Sequence, residues 1–269
     1  MPADRPATRT TDLPGLHWPA GDAARPVPLV LFHGFAGSSD AWRPFVAHLA
    51  GRPVHAVDLP GHAGRPPWPG RAFAQDRLAG LLPVARAVVC GYSLGGRLAL
   101  ALAAAHPERC AGIVTIGAHP GLVSARERRE RRAADERWAV LIEREGTARF
   151  AAAWSAQPLF ATQRRLDRDV LARQDRIRRS HDPAGLAAAM RGFSLGRMPD
   201  LRPALARCRV PALCLAGALD ERFAMLAREI ASVMLDARSA LVPDCGHNPV
   251  LERPDATAAL VDAFWKEIA

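Results

Sequence analysis

Lysine is almost absent from this sequence. Of the 36 basic residues, only Lys266 is a lysine, so arginine carries nearly all of the positive charge behind the formal net charge of +9. This bias indicates genomic composition more than nucleic-acid binding, because no basic arm is interleaved with aromatic residues and no known binding motif is present. We therefore expect no nucleic-acid partner, although a net positive field favours the approach of an anionic small molecule.

Long hydrophobic runs are also missing. No apolar stretch approaches the roughly 20 residues that a helix needs to cross a bilayer, so we expect no membrane association. Residues 1–11 are polar, carry Arg5 and Arg9, and lack the apolar core of a secretory signal. These features predict a cytoplasmic protein.

Cysteine is sparse and scattered, at Cys90, Cys110, Cys208, Cys214 and Cys245. The absence of a C-x-x-C pair argues against a zinc site or a thioredoxin-like motif. Cys90 and Cys214 lie in apolar runs and are most simply core residues, whereas Cys245 is two residues from His247 and is a minor candidate for the site. With no ligand cluster and no phosphate-binding loop, we expect neither a metal nor an organic cofactor.

The length of the chain suits one large α/β domain with an inserted subdomain. Residues 1–26, rich in Pro, Arg, Ala and Thr, are expected to be flexible or to form at most one edge strand. Strand-like and helical patterns alternate over residues 27–120 and 201–269, which predicts a mostly parallel sheet with helices on both faces. Residues 121–200 have helical periodicity and no convincing strand, so we interpret them as a helical cap inserted into this core.

The most informative motif is Gly91-Tyr92-Ser93-Leu94-Gly95. It follows an apolar run and precedes a helical one, which is the strand–turn–helix context of a nucleophile elbow. The two glycines allow a sharp, strained turn in which a Cβ would clash. Ser93 is therefore the candidate reactive residue.

A serine hydroxyl needs a neighbouring base near neutral pH, and nucleophile-elbow enzymes carry Ser, Asp or Glu, and His in that order. Asp220 ends a strand-plus-turn run, and His247 lies in a loop just after the last strand. Both are expected at the carboxyl edge of the sheet, where the sites of open α/β folds collect. Asp244 is the alternative acid, although it lies only three residues before His247.

The loop that begins with His33-Gly34 predicts part of an oxyanion hole. A backbone N–H of this loop joins the amide that follows the serine in such enzymes, so the donors would be Phe35 and Leu94. We interpret His33, and His62 in the run 58–62, as structural hydrogen-bonding residues rather than bases.

Further motifs extend this pattern over most of the chain, from about residue 28 onwards. The generic ones are His33-Gly34-Phe35, Asp58-Leu59-Pro60-Gly61-His62 and Gly246-His247-Asn248. The more specific ones are the elbow with Gly96-Arg97, His119-Pro120-Gly121-Leu122, the cap residues Arg128, Arg131, Arg132, Asp135 and Trp138, and the runs 154–160, 185–187 and 194–201. Together they resemble the 2-succinyl-6-hydroxy-2,4-cyclohexadiene-1-carboxylate synthases of menaquinone biosynthesis, which have the α/β-hydrolase fold.

The resemblance implies an elimination rather than a hydrolysis. The family removes pyruvate from a cyclohexene precursor that carries an enolpyruvyl group and a succinyl chain. Ser93, with His247 taking its proton and Asp220 orienting the imidazole, would abstract a carbon-bound proton activated by the succinyl carbonyl. The oxyanion amides would stabilise the developing negative charge.

Such a substrate carries several carboxylates, which the guanidinium fork binds bidentately. By resemblance, the residues that bind them are Arg97, Arg131 and Arg178, with Arg176 and Arg179 as alternatives to Arg178. The apolar wall would consist of Tyr92, Trp154 and Phe160. For each arginine the alternative is a solvated face, and for Trp154 it is a place in the core.

Two departures from the family pattern concern substrate contacts rather than the triad. The run 61–64 lacks a second consecutive glycine, and Arg222 stands where the family tends to have lysine.

Two other functions remain open. A serine esterase or carbon–carbon bond hydrolase would use the same triad, and a ligand receptor could keep the fold. The cap arginines favour the lyase over the hydrolase, and the intact triad argues against the receptor. A monomer and a small homo-oligomer are both open.

Overall fold

The computed structural model describes residues 8–10, 14–19, 27–49, 53–69 and 75–268. Over these residues one eight-stranded sheet has the order β1-β2-β4-β3-β5-β6-β7-β8. The strands are β1 Thr8–Thr10, β2 Gly15–Trp18, β3 Leu29–Phe32, β4 Val54–Val57, β5 Ala87–Tyr92, β6 Cys110–Ile116, β7 Ala212–Gly217 and β8 Ala237–Val242. Strands β3 to β8 pair in parallel, which agrees with the predicted parallel core.

Helices cover both faces of the sheet. The α-helices are α1 Arg43–Val46, α2 Gln75–Leu78, α3 Leu94–Ala105, α4 Ala125–Ser155, α5 Arg168–Arg179, α6 Pro183–Gly192, α7 Arg202–Leu205, α8 Glu221–Val233, α9 Pro249–Glu252 and α10 Pro254–Ile268. Successive residues of a strand point to opposite faces. In β3, Val30 and Phe32 pack in the cluster that contains α3 and α8 residues, and Leu29 and Leu31 pack in the cluster that contains α1 and α10 residues. The central strands β3, β5, β6 and β7 are largely apolar because both of their faces are buried.

The segment between β6 and β7 is helical, as its periodicity predicts. It contains α4, α5, α6 and the 3-10 segment Pro158–Arg165. Gly146 breaks α4 with a φ of 78°. Residues Ala139, Ile142, Phe150, Leu186, Ala187 and Met190 form a small core of their own, which includes Ala36 from the loop after β3. This helical segment therefore packs directly on the edge of the sheet where the predicted site lies.

The expectation of at most one edge strand within residues 1–26 is wrong. Both β1 and β2 lie there as antiparallel strands, and β2 also pairs antiparallel with β4. Leu16 and Trp18 on β2 are buried, so this strand contributes to the core despite the surrounding polar composition. The rest of the predicted flexible segment lies outside the described residues.

Two elements are shorter than their sequence patterns indicate. The strand-like run 54–59 forms a strand only as far as Val57, because the Leu59 N–H donates to His33 Nε2 rather than to a neighbouring strand. The helical pattern from Asp40 onwards forms a 3-10 turn, Ser39–Trp42, followed by the four-residue α1. No helix among the described residues is long and apolar enough to cross a membrane.

Two buried histidines connect the loops at the carboxyl edge of the sheet. His33 Nδ1 donates to the Gly34 carbonyl at 2.7 Å, and its Nε2 accepts the Leu59 N–H at 2.9 Å. His62 Nε2 accepts the Ala36 N–H at 3.2 Å. Burial lowers the pKa of His33 to about 3 and that of His62 well below its usual value, so both rings are neutral and structural.

We expect His33→Phe to lower the free energy of unfolding by about 1–3 kcal/mol, because it leaves the buried Leu59 N–H without a partner, whereas the Gly34 carbonyl still accepts the Gly37 N–H. In the unfolded chain His33 ionises near its usual pKa of 6.5, whereas in the folded chain its pKa is about 3. The wild type therefore loses stability as the pH falls below 6.5, and the variant should lose about 1.4 kcal/mol less per pH unit. Urea unfolding at several pH values measures both quantities, with the exposed His48→Gln as control. An unchanged slope would contradict the assignment.

Candidate active site

Ser93 sits in a strained turn between β5 and α3. Its φ of 51° and ψ of −104° lie outside the regions that residues with a side chain favour. A Cβ on Gly91 would lie 2.2 Å from the Gly95 carbonyl carbon, and a Cβ on Gly95 would lie 2.0 Å from the Phe32 carbonyl oxygen. Only glycine fits at either position, which explains why this motif can place the serine at the sheet edge.

The structure brings Ser93, His247 and Asp220 together from the ends of three strands. His247 Nδ1 is 2.8 Å from Asp220 Oδ2, and His247 Nε2 is 3.3 Å from Ser93 Oγ. Asp220 Oδ1 also accepts the Phe223 N–H at 3.3 Å, which caps α8 and fixes the carboxylate. In this arrangement a proton can pass from the serine hydroxyl to the imidazole while Asp220 holds the tautomer.

The alternative acid, Asp244, does not face His247. Its side chain is 81% exposed and pairs with Arg253 at 3.2 Å. Cys245, the minor candidate nucleophile, is buried, and its thiol donates to the Val242 carbonyl at 3.3 Å. Burial raises the pKa of Cys245 to about 12, so its reactive thiolate is scarce near neutral pH.

The predicted oxyanion donors lie on either side of the serine. A Cβ on Gly34 would lie 3.6 Å from Ser93 Cβ, so the loop that carries Phe35 passes directly beside the elbow. Phe35 and Leu94 both line the cavity at Ser93. Among the described residues, neither backbone N–H has a hydrogen-bond partner, and the Leu94 amide is at the N-terminus of the twelve-residue α3. Two such amides can receive a developing oxyanion.

A cavity of about 550 Å³ lies between the sheet edge and the inserted helices, and the triad faces it. Tyr92, Trp154 and Phe160 line it, as predicted. Phe160 lies 6.2 Å from both the Trp154 and the His247 rings, between centroids. Two further aromatic residues line the cavity and were not predicted to bind substrate: Trp138, which packs 5.1 Å from Trp154, and Phe223, which packs 4.3 Å from His247. Trp138 had been named only as a motif residue of the cap.

All three predicted arginines line this cavity. Of the three candidates in α5, Arg178 is the buried one, whereas Arg176 and Arg179 are exposed. Arg178 Nη1 donates to Ser155 Oγ at 2.5 Å, and its guanidinium carbon lies 5.2 Å from the centroid of the Phe160 ring. Burial lowers the pKa of Arg178.

Arg97 and Arg131 differ in their partners. Arg97 Nη1 donates to the Phe193 carbonyl of the inserted segment at 2.8 Å. Burial and the nearby Arg131 charge lower the pKa of Arg97 to about 9. Arg131 Nε lies 2.8 and 3.0 Å from the two carboxylate oxygens of buried Asp135. Burying cations in this way is costly unless an anion compensates for the lost hydration.

Three further side chains line the cavity although they were not predicted to belong to the site, namely one histidine, His119, and two arginines, Arg173 and Arg222. Burial, with the positive charge of Arg222 and other arginines, lowers the pKa of His119 to about 4, so its ring is neutral. The departure from the family's lysine at position 222 therefore falls at the cavity wall. The motif 119–122 carried a signal for His119, but nothing in the sequence singled out Arg173 among the α5 arginines.

Similarity to known proteins identifies the family of this chain. Residues 27–254 match the alpha/beta hydrolase fold family, and the chain belongs to that class of protein. A 2-succinyl-6-hydroxy-2,4-cyclohexadiene-1-carboxylate synthase of Enterobacter sp. (strain 638) is 34% identical over 86% of this chain and 88% of the relative. A putative synthase of the same name in Bacillus subtilis (strain 168) is 32% identical over 89% and 90% of the two chains. The chain thus belongs to the 2-succinyl-6-hydroxy-2,4-cyclohexadiene-1-carboxylate synthase family, which confirms the resemblance.

Solved structures agree on the fold. The structure of MenH from S. aureus matches with a TM-score of 0.86 and 27% identity, over 93% of this chain and 97% of that one. A thermophilic esterase from Thermogutta terrifontis matches with a TM-score of 0.80 and 25% identity, over 99% of both chains. The fold is therefore shared with hydrolases, and only the site can separate the two chemistries.

We expect Asp220→Asn to lower kcat by about 10³- to 10⁴-fold, because an amide cannot hold His247 in the required tautomer. Asn keeps the side-chain oxygen that caps α8, so the folded state should persist, which a thermal melt checks. The matched control is Asp244→Asn, which removes the exposed alternative acid and should leave kcat unchanged. Equal losses in the two variants would contradict the choice of Asp220.

Proposed function

We propose that this chain converts 2-succinyl-5-enolpyruvyl-6-hydroxy-3-cyclohexene-1-carboxylate into 2-succinyl-6-hydroxy-2,4-cyclohexadiene-1-carboxylate and pyruvate, a step of menaquinone biosynthesis. Membership of the synthase family supports the reaction. The observation that carries the proposal is the cavity, in which a serine–histidine–aspartate array faces several arginines. A neutral ester would not require several cations in the cavity that binds it.

The bonding change follows from the two ring structures. The proton on ring carbon 2 is acidified by the adjacent succinyl carbonyl. When a base removes it, a double bond forms between carbons 2 and 3, the existing double bond moves to carbons 4 and 5, and the enolpyruvyl oxygen leaves carbon 5. The leaving group departs as the enolate of pyruvate and takes up a proton. The reaction therefore needs a base, charge stabilisation and no redox partner.

Ser93 and His247 supply the base in this proposal. Ser93 Oγ takes the carbon-bound proton as its own proton moves to His247 Nε2, and Asp220 stabilises the imidazolium that results. The 3.3 Å separation of Ser93 Oγ and His247 Nε2 is long for a strong hydrogen bond, and such contacts commonly tighten when substrate binds. The Phe35 and Leu94 amides receive the charge that develops on the succinyl carbonyl oxygen.

The substrate that we propose is anionic, and the arginines would bind its carboxylates. Arg178 donates to Ser155 and Arg97 donates to the Phe193 carbonyl, and both side chains line the cavity in which the carboxylates would bind. Tyr92, Trp154 and Phe160 would pack against the ring and the succinyl methylenes.

We further propose that residues 121–200 act as the cap and that residues 27–120 with 201–269 form the catalytic core. For the oligomeric state we propose a monomer or a small homo-oligomer.

The proposal is tested by following pyruvate release from the enolpyruvyl precursor. The purified protein should consume the precursor, and Ser93→Ala should lower kcat by at least about 10³-fold, because the array loses its proton carrier. Precursor loss no faster than in buffer would refute the synthase function. Rapid turnover of p-nitrophenyl esters in its place would favour the hydrolase.

Arg97→Ala should raise KM for the precursor or lower kcat/KM by about 10- to 100-fold, because a charge-assisted contact with a carboxylate is lost. Hydrolysis of a neutral p-nitrophenyl ester should change much less, because that substrate has no carboxylate. Arg149→Ala is the matched control, since Arg149 is an exposed arginine of α4 that pairs with Glu145. Equal effects of Arg97→Ala on both substrates would argue against the carboxylate role.

A further inference from the structure

The loop that carries His247 has little regular structure to hold it. It spans residues 243–248, between the end of β8 and the start of α9. Asp244 in this loop has a φ of 54°, which is unfavourable for a residue with a Cβ. Catalysis nevertheless requires His247 to stay within hydrogen-bond reach of both Ser93 and Asp220. Something outside the triad must therefore fix this backbone.

Glu252 provides two bonds to this loop, one on each side of the histidine. Its Oε2 accepts the Gly246 N–H at 2.9 Å, and its Oε1 accepts the Asn248 N–H at 3.2 Å. The Glu252 side chain is only 1% exposed. Both carboxylate oxygens thus bind the two peptide groups that flank His247, in a site shielded from water, where such bonds are strong.

This arrangement exceeds what the capping of α9 requires. The Asn248 side chain already caps that helix, since its Oδ1 accepts the Leu251 N–H at 3.2 Å. The bond from Glu252 to Gly246 lies outside the helix and adds nothing to its capping. Burying a carboxylate is costly unless hydrogen bonds compensate, and the two peptide N–H groups of this loop donate such bonds to Glu252.

The opposite side of the loop is closely packed as well. A Cβ on Gly217 would lie 2.0 Å from the Gly246 carbonyl oxygen, and the Leu219 N–H donates to the Cys245 carbonyl at 3.0 Å. From the inserted helical segment, Arg165 Nη2 donates to the Asp244 carbonyl and lies 4.0 Å from Glu252 Oε2. The loop is therefore held between the Asp220 turn and Glu252, with a cation of the proposed cap beside the carboxylate.

We propose that Glu252 is a positioning residue for catalysis: it fixes the peptide groups on both sides of His247 and thereby the imidazole against Ser93 and Asp220. The inference rests on the triad of the proposed function. It does not depend on which substrate the triad acts upon. A misplacement of about 1 Å in such a group can cost on the order of 100-fold in rate.

The first test is Glu252→Gln, which keeps the size of the side chain but replaces one acceptor oxygen with an NH₂ that faces a backbone N–H. We expect kcat for pyruvate release to fall by about 10- to 100-fold, with KM within about threefold, because substrate contacts are intact. Glu252→Asp keeps the charge and withdraws it by one methylene, so it should also lose activity. Asp255→Asn is the matched control and should have no effect, because Asp255 is a carboxylate one turn further along that pairs with Arg253 and does not line the cavity.

A second measurement is independent of the synthase reaction. An alkyl fluorophosphonate phosphorylates an activated serine, with a bond from Ser93 Oγ to phosphorus and loss of fluoride. The rate of labelling, followed by mass spectrometry, should fall in parallel with kcat in Glu252→Gln and Glu252→Asp, while far-UV circular dichroism remains native. If the wild type is labelled but releases no pyruvate, the proposed function fails, and slower labelling of the variants still supports Glu252.

Two results would overturn the inference. Native kcat and labelling rate in Glu252→Gln, with only a lower melting temperature, would reduce Glu252 to a structural cap. Full activity in Glu252→Asp with loss in Glu252→Gln would show that the charge, rather than the two-sided contact, is what matters.

Discussion

The close approach of three backbone segments at Ser93 is the constraint on which the rest of the site depends. Strand β5, helix α3 and the end of β3 meet where the glycines at 91 and 95 leave no room for a Cβ. The strained serine between them is held by its N–H bond to the Ile116 carbonyl at 2.8 Å. The same turn presents the Leu94 amide at a helix N-terminus and places Arg97 one turn further along the cavity wall. This close packing therefore positions three functional groups, namely Ser93, the Leu94 amide and Arg97.

The parallel sheet supplies the other half of the array. Ser93 and His247 are 154 residues apart in the chain, yet their side chains lie 3.3 Å apart, because β5, β7 and β8 all end at one edge. Parallel strands bring together only the loops that follow them. Other contacts must then fix the conformation of those loops. Asp220 is fixed by its bond to α8, and the His247 loop is packed against Gly217 and bonded to Glu252. The parallel sheet brings the triad side chains near one another, and these local contacts fix their orientations.

The inserted helical segment adds cations to the cavity of this common fold. It contributes Arg131, Arg173 and Arg178 to the cavity and is bonded to the core through Arg97 and Phe193. The lowered pKa of Arg97 reflects the loss of hydration that burial imposes on a cation. A carboxylate in the cavity would offset that loss. The same triad beneath an apolar lid would suit neutral esters, so the arginines carry the distinction between the proposed lyase and a hydrolase.

The sequence by itself determined the elements whose signal is local. Glycine spacing around Ser93, apolar runs buried on both faces, and the helical periodicity of 121–200 all follow from short-range rules, and they predicted the fold and the serine. The sequence could not exclude Asp244 or choose Arg178 among its neighbours, because burial and direction depend on distant elements. Nor did it reveal both β1 and β2, because β2 joins the sheet by pairing with β4, much later in the chain, and β1 pairs only with β2 among the described strands. Only the tertiary structure decided which arginines line the cavity, because that depends on how α4 and α5 pack over the sheet edge.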